Sequence, residues 1–367
     1  MRRQWSFRRH SLSPWCARAL LLAGLLVGAR PVGATTWSIE DPGQGIFPFA
    51  PPVSGSIELS GLAWVAGDLY LAVSDRLATL HALRIDLDPA GRIASATVYP
   101  GVRLDGATDP EGVVYVPGSA TVFVSDEQEP SIREYEIATG RTLREVALPE
   151  VFAKVRRNLG LESLARDPAT GVAWTVSEEA LSCDGQRTGA AARSLVRLQR
   201  FDHAWHPDGQ WAYRTEALAP DIGRMNGVSD LVALPDGGLL VLERAHTAAG
   251  VRVALWAVDL DAAPDTSARA SLATDTPVVR KTLLWQAATG NFNFEGAALG
   301  SSTADGGRSL LLVSDDGRNG ESGLYPLVLH PAPAPEPRPG ATPTWARRGR
   351  STRGALSMRR TRRRELR

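Results

Sequence analysis

The stretch Asp109-Pro110-Glu111-Gly112-Val113-Val114-Tyr115-Val116-Pro117-Gly118-Ser119-Ala120-Thr121-Val122-Phe123-Val124-Ser125-Asp126 decides the fold. A Glu-Gly pair opens an apolar run, Pro117-Gly118 turns the chain, and a second apolar run ends in Ser-Asp. Two runs rich in β-branched and aromatic residues around a Pro-Gly turn read as a hairpin. The pattern returns four more times. Ser60-Gly61-Leu62 leads to Val73-Ser74-Asp75, and Glu162-Ser163-Leu164 leads to Val176-Ser177-Glu178. Ser229-Asp230-Leu231 leads to Leu242-Glu243-Arg244, and Glu295-Gly296-Ala297 leads to Val313-Ser314-Asp315. Successive opening motifs lie 51, 51, 67 and 66 residues apart. Units of this length, with several short strands each, predict the blades of a β-propeller.

Working outward, residues 61–65, 69–74 and 80–87 are strand candidates in the first unit, with 112–116, 121–125 and 132–137 in the second. Residues 231–234, 238–243 and 253–260 repeat the scheme, and the last unit stops after three strands at 324–329. Its missing outer strand is expected from residues 36–39 or 54–59, which would close the ring and remove an exposed sheet edge. The fold class is therefore all-β, a propeller of five to six four-stranded blades closed by the N-terminal strand. The sixth blade is left open by the length of the units at 162–228 and 229–294. The one helix candidate is 149–157, between the second unit and the start of the third.

The two ends differ from the middle. Residues 1–34 carry six arginines and no acid around an apolar run from Ala19 to Ala29, and Val32-Gly33-Ala34 offers small residues for cleavage. That is the pattern of a signal peptide. The run is too short to span a bilayer, and Arg8-Arg9 admits twin-arginine as well as general export. Residues 331–367 open with Pro-Ala-Pro-Ala-Pro and carry eleven arginines against Glu336 and Glu365. Such a segment cannot bury a core and is expected to be a disordered basic tail, either simply solvated or touching an anionic membrane surface.

Between the ends, residues 35–330 hold 24 Lys+Arg against 38 Asp+Glu, a net charge of −14. An acidic domain of this kind excludes nucleic acid as a partner and suits hard divalent cations. Once the signal is removed, Cys183 is the only cysteine and no internal disulfide is possible. Nothing beside Cys183 would activate its thiol. A periplasmic or secreted location follows from the export signal, and no transmembrane segment is expected in the mature chain.

The chemistry-bearing residues cluster on the repeats. In a propeller the strand that each opening motif begins is innermost, so Glu111, Glu162, Glu295 and Asp230 are expected to meet at one mouth of the central channel. Carboxylates held together repel unless a cation neutralises them, and calcium accepts six to eight oxygens in loose geometry. The competing reading is that Glu-Gly merely starts the strand and caps backbone N–H groups. Strand-end acids form a second set, Asp126-Glu127, Glu178-Glu179 and Asp315-Asp316, with Glu243-Arg244 beside them; these are either a second layer of the site or ordinary turn chemistry. Arg157, Arg244, His246 and Arg318 lie close to these motifs, and an arginine fork suits phosphate. No Gly-x-Ser-x-Gly elbow, Walker loop or dinucleotide fingerprint is present. His203 and His206 lack the further ligands a zinc site needs.

In order along the chain, these motifs resemble one known family. Asp109-Pro110-Glu111-Gly112, Val124-Ser125-Asp126-Glu127, Leu161-Glu162-Ser163-Leu164 and Ser177-Glu178-Glu179-Ala180-Leu181 are similar to the phytase-like family, described as having esterase-like activity of phytase. So are Leu242-Glu243-Arg244, Phe294-Glu295-Gly296 and Val313-Ser314-Asp315-Asp316, and the match runs from about residue 57 to 329. The resemblance implies an exported bacterial β-propeller, calcium-dependent, acting on phosphate or other esters of small anionic molecules. Ser60 stands where an opening glutamate would be, so the first blade is expected to lack a ligand.

Together these readings give a site in which Glu111, Glu162, Glu295 and Asp230 hold calcium. Arg157, Arg244 and Arg318 bind the substrate anion, and Glu178 or Asp126 acts as general base. Two alternatives keep the fold and change the function: a calcium-dependent lactone hydrolase, and a non-catalytic calcium-stabilised binding module at the cell envelope.

Overall fold

The computed structural model describes residues 37–49, 57–189, 192–218, 223–287, 290, 293–315 and 322–332. The expected signal, Arg318 and the tail beyond 332 lie outside these residues. The described strands form five antiparallel sheets, and these are the blades. From the axis outward, blade 1 is Leu59–Ala66, Leu69–Ser74, Thr79–Leu87 and Ile93–Val98, and blade 2 is Pro110–Tyr115, Thr121–Asp126, Ser131–Glu136 and Thr142–Glu145. Blade 3 is Ala165–Arg166, Ala173–Thr175, Leu195–Phe201 and Pro207–Arg214, and blade 4 is Gly223–Ala233, Leu239–Thr247, Gly250–Asp259 and Arg280–Gln286. Blade 5 is Asn293–Ser302, Arg308–Asp315 and Gly323–Pro331, with Trp37–Glu40 outermost and antiparallel to Gly323–Pro331. The first strands of the five blades touch one another in a closed cycle, which makes them the inner wall.

The structure holds five blades. The surplus length of the third and fourth units goes into the connections between Thr175 and Leu195 and between Asp259 and Arg280. The helix candidate at 149–157 is a short 3-10 helix, Glu150–Lys154, too brief to be more than a connector.

Each blade has an apolar layer on both faces, which explains why its second strand reads as a continuous apolar run rather than an alternating one. Leu239 and Val241 pack toward blade 3 against Trp174, Val196 and Leu198. Their neighbours Leu240 and Leu242 pack toward blade 5 against Leu310 and Leu312. Leu311 and Val313 then turn the other way, onto Leu59, Tyr70 and Leu83 of blade 1. Strand alternation thus sends successive side chains into two different interfaces.

The blade-opening residues share one irregularity. Ser60, Ser229 and Glu295 are each an unpaired extra residue in the inner strand, and Glu111-Gly112 oppose Ser125 alone. Each is a β-bulge, which re-aims the side chain it carries. The next residue along sits where neighbouring inner strands approach most closely. A Cβ on Gly61 would lie 2.2 Å from the Glu111 carbonyl oxygen, and one on Gly112 would lie 2.2 Å from the Leu164 nitrogen. The Gly of Glu-Gly is therefore a packing requirement, separate from the role of the Glu.

Candidate functional site

One end of the channel opens into a polar cavity of about 550 Å³. The starts of the inner strands contribute Glu111, Glu162 and Glu295 to its wall. The chain just past the second strands adds Asp75, Glu127 and Glu178, the approach to blade 2 adds Asp109, and the second strand of blade 4 adds Arg244. Arg157 and Arg187 complete the wall from connecting loops, and both are exposed at the rim. Arg157 is carried on a tight turn closed by the Arg156–Leu159 bridge, with Asn158 in the left-handed region at φ 56°. Asn tolerates that conformation better than most residues.

The seven carboxylates overlap in three sets whose oxygens lie within 4.8 Å of one another: Asp75, Asp109 and Glu111; Glu111, Glu162 and Glu295; Glu127, Glu162 and Glu178. Glu111 and Glu162 each belong to two sets and link all three. Arg244, 6% exposed, is the buried cation among them. Its Nη2 donates to Glu178 Oε1 at 3.0 Å and its Nη1 to Asn293 Oδ1 at 3.1 Å, with Glu295 also paired to Nη1. Burial opposes its charge, but Glu295, Glu178 and Glu162 overcome that and raise its pKa above the ordinary arginine value.

One guanidinium does not neutralise the group. Burial, then the neighbouring Glu295, Asp75 and Glu127, push Glu111 well above the carboxylate range. Glu162 is raised likewise, by burial and then by Glu178 and Glu111. Burial raises Asp75 to about 7, against the Arg76 backbone N–H, with Glu295 and Glu58 adding to the rise. Glu127 reaches about 7 through burial and the Glu178 and Asp109 charges, despite the N–H that Gly160 donates to it at 3.2 Å. Without a further cation, this wall holds protons near neutral pH.

Of the residues expected from sequence, the structure brings Glu111, Glu162, Glu295, Glu178, Arg157 and Arg244 together. Asp230 does not join them. Ser229 holds the bulge position in blade 4, and Asp230 follows it; its carboxylate accepts the Leu231 N–H at 2.8 Å and the Ala297 N–H of blade 5 at 2.6 Å. It clamps one blade to the next. Asp126 is also not on the cavity wall. It accepts four hydrogen bonds, from the N–H groups of Thr108, Asp109 and Glu129 and from the Thr108 hydroxyl. Its role is to order the approach to blade 2. Glu127, the next residue, faces the cavity instead. Asp75, Asp109 and Arg187 are the charged wall residues that sequence reasoning missed. Asp75 carried the repeat signal Val-Ser-Asp, whereas Arg187 sits in a loop with no periodic signal.

Below these acids the channel changes character. Residues two places past each blade opening, Leu62, Val113, Leu164, Leu231 and Ala297, form an apolar neck. Among the described residues no helix is long and apolar enough to cross a membrane.

A family model for the phytase-like family, esterase-like activity of phytase, matches residues 55–318. A search of curated proteins returns no match. Among solved structures, the chain is similar to Kuenenia stuttgartiensis hydrazine synthase at 11% identity and TM-score 0.36, covering 74% of this chain but only 58% of the other. A streptogramin B lyase aligns at 11% identity over 80% of this chain and 98% of that one, with TM-score 0.33. The PQQ-bound aldose sugar dehydrogenase from Streptomyces coelicolor aligns at 12% identity over 81% and 99%, with TM-score 0.38.

Proposed function

The chain belongs to the phytase-like family, and from that premise we propose that it is an exported, calcium-dependent hydrolase of small anionic esters, phosphate esters before carboxyl esters. The observation that carries this reading is the contrast between the cavity's floor and its rim. Seven carboxylates and one buried guanidinium make the floor, and two exposed arginines guard the entrance. The donor set fits the metal: the wall offers only carboxylate oxygens as charged donors, in overlapping sets, with no Cys or His among its residues. Glu111, Glu162 and Glu295 would hold the ion. Bound there, calcium supplies polarisation of a phosphoryl or carbonyl oxygen and a more acidic bound water.

The chain's own residues divide the remaining work. Arg157 and Arg187 draw the anionic end of the ester to the mouth and orient it by fork-shaped hydrogen bonding. Arg244 holds the Glu178 carboxylate in place by a direct hydrogen bond. Glu127 faces the cavity with a carboxylate that is not engaged by Arg244, and is placed to take a proton from the attacking water. It takes the role that the sequence assigned to Asp126 or Glu178. The two rim arginines favour an anionic ester over a neutral lactone.

The test is release of p-nitrophenol from phosphate and acetate esters in parallel, with calcium and with chelator. Calcium-dependent turnover of the phosphate ester supports the reading. Turnover of acetate alone moves the substrate class to carboxyl esters or lactones, and no turnover by folded protein makes the chain a binding module.

A further inference from the structure

The opposite end of the channel carries a second cavity of about 240 Å³, separated from the acids by the apolar neck. Its wall follows from strand alternation: two residues beyond the neck, the five inner strands present Trp64, Tyr115, Arg166, Ala233 and Leu299. Four of these are apolar or aromatic, and the fifth is a guanidinium. Arg166 Nε and Nη1 are buried and have no hydrogen-bond partner among the described residues. Asp167, next along the chain and on the same wall, acts on Arg166 through its charge but makes no hydrogen bond to it. Its carboxylate accepts from the Ala169 N–H at 2.9 Å and the Thr170 hydroxyl at 2.6 Å within its own turn. A second guanidinium, Arg308, lies 5.5 Å from the Trp64 ring centroid and donates to the Gly300 carbonyl. The cavity thus combines an apolar floor, two aromatic side chains, one small residue and a net positive wall, Arg166 and Arg308 against Asp167.

We infer that this end of the channel is a binding site for a single-ring aromatic carboxylate. The ring would lie between Trp64 and Tyr115 over the neck, in the space left by Ala233, and the carboxylate would pair with Arg166. The size agrees: a cavity of about 150 Å³ accepts a benzene ring, and this one is larger by room for a short acid side arm. Aromatic faces favour offset or edge contacts with a ring, and a guanidinium meets a carboxylate with two parallel hydrogen bonds. The site is distinct from the acidic cavity, with which it shares no wall residue.

The test is calorimetric titration of the purified full chain with 3-phenylpropionate and with its neutral amide, with and without chelator. One saturable site for the acid is expected, unaffected by chelator, with the amide weaker by about tenfold or more, as a lost charge-assisted hydrogen bond implies. Arg166→Gln should weaken the acid by a similar factor and leave the amide unchanged. Ala233→Phe should block both by filling the cavity, and Arg166→Lys guards against misfolding by keeping the charge. Equal binding of acid and amide, binding unaltered by both Arg166→Gln and Ala233→Phe, or no saturable binding would each overturn the proposal.

Discussion

Arg244 of blade 4 donates to Glu178 beyond the second strand of blade 3 at 3.0 Å, so a buried charge pair crosses a blade boundary inside the acidic cavity. Both side chains are almost fully buried, at 7% and 4% exposure. Removing one partner of such a pair costs far more than the pair itself contributes, because the other charge is left buried alone.

Arg244→Gln is therefore expected to lower stability by about 3–5 kcal/mol in chelator, the usual cost of breaking a buried pair. Added calcium should recover part of that loss, since it supplies the missing positive charge. Thermal unfolding of wild type and variant, each with calcium and with chelator, measures both effects.

Asp126 and Glu127 are adjacent in sequence and opposite in role. Asp126→Asn should cost about 1–3 kcal/mol through its backbone hydrogen bonds and leave most of the turnover. Glu127→Gln should leave the fold intact and reduce kcat by about a hundredfold or more, the typical contribution of a general base. Parallel unfolding curves and steady-state kinetics separate the two outcomes.

The raised pKa values of Asp75 and Glu127, both about 7, set a pH dependence. Unfolded, these carboxyls titrate near pH ~4, so between about pH 4 and pH 7 the folded state binds more protons than the unfolded state. Stability of the metal-free protein is then full below that window and falls as pH rises through it. Calcium, which competes with those protons, should raise the melting temperature more at about pH 8 than at about pH 5. A pH series of melting curves in chelator and in calcium checks the sign of both trends.

At the rim, Arg157→Ala and Arg187→Ala should raise KM for an anionic ester with little change in kcat. Each removes a contact made before the reaction begins. A neutral ester should be indifferent to both changes. Steady-state kinetics on a charged and an uncharged substrate decides this.

Much of the site was legible because propeller symmetry repeats it. Glu111, Glu162 and Glu295 share the opening place of their units, and each is delivered to one cavity by a bulge or a similar break in pairing. Legibility ended where a single residue of offset mattered. Asp230 looked like an opening acid, yet Ser229 holds that place and Asp230 points into the boundary with blade 5. Asp126 matched the Ser-Asp strand ending, yet the turn at Thr108 consumes it and Glu127 is turned inward. Arg187 reaches the rim from a loop whose path no local pattern encodes.

By itself, the sequence determined the all-β class, the blade repeat and the apolar runs that become strands. These depend on periodicity and on turn residues, which are local properties of the chain. Only the tertiary structure decided that there are five blades, which acids converge, and that an apolar neck divides an acidic mouth from an aromatic one. The reason is geometric. Neighbouring residues on a strand point to opposite sides, and a bulge or a loop shifts that alternation by one. Which side chain faces the channel is therefore set by strand pairing across the ring, between residues far apart in the chain.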